Sequence, residues 1–70
     1  MSENVYKIIQ LVGTSEESWE KAAAAAVSKA SASLRDLRVA EVAELDVVID
    51  DKGGVSAYRA KLNLSFKYED

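Results

Sequence analysis

Seventy residues are enough for one domain, spanning 1–70, and the chain contains neither cysteine nor histidine. Those absences exclude disulfide staples, the usual zinc ligands, and Cys–His or Ser–His nucleophilic chemistry on this chain alone, so no enzyme is expected. A net charge of −3, from 12 acidic against 9 basic residues, argues against nucleic-acid binding, which needs clustered Lys and Arg.

No apolar run approaches the length of a membrane span. Met1-Ser2-Glu3-Asn4 lacks a basic region followed by an apolar stretch, so a cytoplasmic location is expected. A core this small rarely supplies more than roughly 3–5 kcal/mol. With disulfides and zinc excluded, self-association is the expected source of the missing stability.

Taken in order, Val5 to Val12 is rich in β-branched and aromatic residues and reads as a strand, with Gly13 expected to break it. Thr14 to Leu37 follows as an amphipathic helix. Trp19, Ala22, Ala23, Ala26, Val27, Ala30, Leu34 and Leu37 recur at steps of three and four, and Ala22 to Ala26 is the best helix-forming run available. Thr14 with Glu17 reads as a capping box, Ser15 being an almost equally good cap. The helix is expected to end near Asp36–Arg38 without a glycine stop.

From Val39 to Ile49 the chain turns β-branched again. Simple alternation places Val39, Glu41, Ala43, Leu45, Val47 and Ile49 on one face and Ala40, Val42, Glu44, Asp46 and Val48 on the other. Asp50 to Gly54 reads as a turn. The last strand alternates most cleanly: Tyr58, Ala60, Leu62, Leu64, Phe66 and Tyr68 against Arg59, Lys61, Asn63, Ser65 and Lys67. The class is therefore α+β, a β-α-β-β unit whose three-stranded antiparallel sheet packs on one helix. The second sheet face has no cover in this scheme, and Ala40, Val42 and Val48 are expected to meet neighbouring subunits there.

Carboxylates are the groups here with ligand chemistry, and they suit a hard cation bound by oxygen. Glu44 and Asp46 lie two apart on a strand, so their side chains emerge on one face about 7 Å apart. Alone they are too few for calcium, which takes about 6–8 oxygens, but symmetry could multiply them. The alternative is that both pair with Arg59 and Lys61 on the next strand. Glu16 and Glu17 read as partners of the helix dipole, or as an ion site completed by subunit symmetry. Asp50 and Asp51 read as turn residues, since the spacing and distal glutamate of an EF-hand are missing. Trp19 sits on the apolar stripe and reads as a core or subunit-contact residue, and Tyr58, Phe66 and Tyr68 read as core. Spacing does not orient Tyr6.

VYKIIQLVGTSEESWEKAAAAAVSKAS followed by LRDLRVAEV resembles the dodecins, small β-α-β-β proteins that assemble into hollow homododecamers. The similarity spans nearly the whole chain. Its most specific parts are Val5-Tyr6-Lys7, Gly13-Thr14-Ser15 leading into Trp19, Leu34-Arg35, and the strand closing at Lys67. In flavin-storing dodecins a tryptophan at the start of strand two stacks on the isoalloxazine ring. Here that position is Val39, followed by Ala40, and an aliphatic side chain offers no flat π surface. An arginine late in strand two aligns with Asp46, and a flavin-bonding glutamine of strand three aligns with Arg59. Arg38-Val39-Ala40, Val42, Glu44, Asp46 and Ser65-Phe66-Lys67 are instead similar to the calcium-dodecin branch. The resemblance thus implies a homododecameric binding or storage shell. Calcium is the expected ligand, riboflavin or flavin mononucleotide the alternative, and a structural shell with no specific ligand the third reading.

Overall fold

A computed structural model of the protein describes residues 3–67. The strongest alternation in the sequence becomes the centre of the sheet. Strand β3 (Val55–Lys67) lies between β1 (Tyr6–Ser15) and β2 (Leu37–Ile49), antiparallel to both, and helix α1 (Trp19–Ser33) connects the two edge strands. A strand in that position is covered on both edges, and its inward residues Ala60, Leu62 and Leu64 are fully buried. Against them the helix lays Ala22, Ala26 and Ala30, with Ile9, Leu11, Ala23, Val27, Leu34 and Leu37 around the rim. Tyr58 and Phe66 lie on the same side, partly covered. Tyr68 lies outside the described residues.

The first strand runs three residues past its expected end. Gly13 does not break it: Gly13, Thr14 and Ser15 pair with Ala60, Arg59 and Tyr58. The glycine serves helix packing instead, because a Cβ there would sit 2.0 Å from the Ala22 carbonyl oxygen and 3.1 Å from the Ala26 methyl. Strand pairing therefore overrides the expected Thr14 cap, and the helix begins four residues later. Ser18 is the N-cap, its hydroxyl accepting the Lys21 amide at 3.1 Å. The other end also comes early. Leu34 is the C-cap, its N–H donating to Ala30 at 2.8 Å, and Asp36 reverses the chain at φ 57°. Leu37 and Arg38, expected near the helix end, are already in β2.

The turn at Asp50 to Gly54 is as expected. The Asp50 carboxylate accepts the amides of Lys52 and Gly54 at 2.9 Å each, and Gly53 takes φ +84°.

Strand β2 departs most from simple alternation. Its register against β3 shifts between Val42 and Glu44, leaving Ala43 as a bulge. Directly opposed residues share a face. Ala40, Val42, Leu45 and Val47 oppose Leu64, Leu62, Ala60 and Tyr58 and so lie on the helix side, while Val39, Glu41, Glu44, Asp46 and Val48 lie on the outer side. The expected grouping of Ala40 and Val42 with Glu44 and Asp46 is corrected accordingly. Val48 is on the uncovered outer face as expected, but Ala40 and Val42 are not.

Candidate functional site on the outer face of the sheet

The outer face is a ladder of rows running across three strands. Ile8, Ser65 and Val39 form one row, and Gln10, Asn63 and Glu41 the next. Val12, Lys61 and Glu44 follow, then Thr14, Arg59 and Asp46. Tyr6, opposite Lys67, belongs to this face as well. Each row is stitched by its own chemistry. The Gln10 amide donates to Asn63 at 2.9 Å, and the Asn63 amide donates to Glu41 at 3.0 Å. Lys61 Nζ lies 2.9 Å from a Glu44 carboxylate oxygen. Arg59 grips Asp46 with two parallel bonds, Nε to Oδ1 at 2.7 Å and a terminal nitrogen to Oδ2 at 2.8 Å. That hydrogen bonding holds the Asp46 carboxyl below its usual range and raises the Arg59 guanidinium.

Glu44 and Asp46 do share an exposed face, as their spacing required, and each meets the basic partner on β3 named as the alternative. Among the described residues the outer-face carboxylate with no cationic partner within salt-bridge distance is Glu41. Sequence reasoning missed it, having placed it on the opposite face. The signal was present: charges fall at 41, 44 and 46, a step of three before a step of two, and the three-step marks the bulge.

The positions matching flavin contacts are also on this face. Val39 is exposed at one end, and Asp46 and Arg59 are bonded to each other two rows beyond Glu41. Glu16 and Glu17 lie before the helix rather than within it. Glu17 pairs with Lys21, and its amide donates to the Ser15 hydroxyl at 3.0 Å. Glu16 is exposed beside them. Among the described residues no three carboxylates of one chain converge on a point that could hold a metal ion. Trp19 stands at the helix N-terminus, partly exposed. Its indole N–H donates to the Asp46 carbonyl at 3.0 Å, and its ring meets Tyr58 edge-on at 5.0 Å between centroids.

The chain is thus a small α+β unit, a one-sided β-α-β-β sheet with a charge-laddered outer face. The chain belongs to the dodecin family, whose profile matches residues 5–69. It is 52% identical over 64 residues to the calcium dodecin of Mycobacterium tuberculosis, covering 91% of this chain and 89% of that protein. A crystal structure of calcium dodecin from that organism, a calcium-chelating antigen with a calcium-binding site, superposes with a TM-score of 0.82 at 51% identity, over 93% of this chain and 91% of the other. A dodecin from Streptomyces coelicolor superposes with a TM-score of 0.90 at 36% identity, over 100% and 99% of the two chains. Among the described residues no helix is long and apolar enough to cross a membrane.

Proposed function

We propose that this protein is a self-assembling dodecin shell that binds calcium through carboxylates of its outer sheet face and does not store flavin. The observation that carries this reading is the company Val39 keeps. The position that would need an indole is aliphatic, and the same exposed face holds Glu41, Glu44 and Asp46 in successive rows. Likeness to a calcium dodecin supports it. Calcium suits such a face because it accepts irregular oxygen geometry and carboxylates shared between subunits, whereas magnesium keeps its waters. Glu44 and Asp46 are the first ligands proposed, and an ion there competes with Lys61 and Arg59 for their oxygens.

Binding to the assembled state raises its apparent stability by mass action. Millimolar calcium should therefore raise the melting temperature beyond any change at matched ionic strength, and chelation should reverse it. Glu44→Gln with Asp46→Asn should abolish the response while the shell persists. A response that survives the double change but is lost on adding Glu41→Gln leaves the ligands on this face, and one that survives all three moves them to Glu16 and Glu17. No response in the parent leaves a shell without a specific ligand. Riboflavin titrated with the protein should keep its emission; strong quenching would restore the flavin reading.

A further inference from the structure

Strand β2 lies at the sheet edge, scarcely covered by the helix, and its register against β3 shifts both before Glu44 and after Val48. Asp46 therefore stands in a short regular stretch, 44–48, with an irregularity at each end. A bulge bends and twists the strand that carries it, so a side chain just beyond one needs a second support to keep a fixed direction.

Trp19 supplies that support. It opens helix α1, on the opposite side of the sheet from the carboxylates, and its indole N–H donates to the Asp46 backbone carbonyl at 3.0 Å. Among the described residues this is the one side-chain hydrogen bond between the helix and β2. The same ring meets Tyr58 edge-on, with 75° between the planes. Tyr58 precedes Arg59 in β3 and lies opposite Val47, the residue after Asp46. Trp19 thus touches both strands beside the row where Arg59 holds the two oxygens of Asp46, and two parallel bonds tolerate little rotation of either partner. A tryptophan whose whole task is core packing is buried; this one is 37% exposed and directs its N–H to the backbone of the acid. We infer that Trp19 is the positioning residue of the outer-face site: by fixing the Asp46 backbone from the helix side, it sets the direction in which that carboxylate is offered to Arg59 or to a cation. The cation half of the inference rests on the calcium reading above, and the Arg59 half stands on the geometry alone.

The test is a mutant cycle at pH 7 in chelator, read by melting temperature. Trp19→Phe keeps a ring against Tyr58 and removes the N–H. Asp46→Asn should lower the melting temperature of the parent, and in the Trp19→Phe background it should produce at most about half that shift. Glu44→Gln is the control, because its pair with Lys61 lies one row away and makes no hydrogen bond to Trp19. Its shift should be equal in both backgrounds. Unaltered shifts for both changes, an equal reduction of both, or a parent indifferent to Asp46→Asn would each overturn the inference. Calcium gives a second readout. By isothermal calorimetry Trp19→Phe should bind calcium at least about threefold more weakly than the parent, the effect of losing one ordinary hydrogen bond. Equal affinities would remove this role from Trp19 and leave the calcium reading standing. A parent that binds no calcium ends the calcium reading, and the cycle then decides Trp19 alone. If Trp19→Phe fails to assemble, the emission of this single tryptophan decides instead. It should differ between the parent and Arg59→Gln, and identical spectra would refute the link.

Discussion

Ser18 and Gly13 show how single residues set the geometry. The helix starts at Ser18, whose hydroxyl takes the Lys21 amide, while Thr14 is held in the sheet opposite Arg59. Ser18→Ala should therefore destabilise the protein by about 1 kcal/mol. Thr14→Ala should have an effect well below that, with both read by urea denaturation. A larger loss at Thr14 would show that the capping box operates after all. Gly13 is more demanding. A methyl group there meets the Ala22 carbonyl, backbone rather than a flexible tip, so the helix must move off the sheet. Gly13→Ala should cost about 3 kcal/mol, the upper part of the usual overpacking range. A thermal melt within a degree or two of the parent would contradict that contact.

The β2–β3 hairpin contributes at the scale of elements, because its bulge decides which side chains share a face. Without Ala43 as an extra residue, Glu41 would face the helix side and the outer ladder would lose a rung. The Asp46–Arg59 pair gives this ladder a pH signature. Its hydrogen bonds lower the Asp46 pKa in the folded state, so the stabilisation is fully present above the unfolded value of about 3.9 and is lost as pH falls through the folded value. Melting temperatures of the parent and Asp46→Asn should accordingly differ at pH 7 and converge as pH drops below about 4. A difference that stays constant down to pH 2 would mean that the asparagine perturbs packing and not charge. The Trp19 indole bonds to the Asp46 backbone carbonyl, a contact the substitution retains, so the comparison isolates the carboxylate.

Considered whole, the chain is extended and thinly cored. It measures 56 × 20 × 15 Å with a radius of gyration of 14.6 Å, against about 11 Å for a compact domain of this length. Of the six buried core residues among those described, four are alanines, which bury little apolar area each. Sedimentation at micromolar concentration should show a particle many times the 7.6 kDa chain, of the size of a homododecamer. Its melting temperature should rise with protein concentration, as mass action requires of an obligate oligomer. A concentration-independent monomer would remove the proposed source of stability.

By itself the sequence determined the element order, the inward residues of the last strand, the alanine stripe of the helix and the turn at Asp50 to Gly54. Each of these rests on local periodicity or local hydrogen bonding, which neighbours in the chain settle among themselves. Only the tertiary structure decided where β1 stops and the helix starts, because Thr14 and Ser15 choose between a cap and a strand partner 43 or more residues away. It also decided the phase of β2. A bulge exists only relative to the strand opposite, so Glu41, Glu44 and Asp46 come to one face through pairing with Asn63, Lys61 and Arg59. The candidate site was half legible for that reason: its residue types lie in the sequence, and their common face is a property of two strands together.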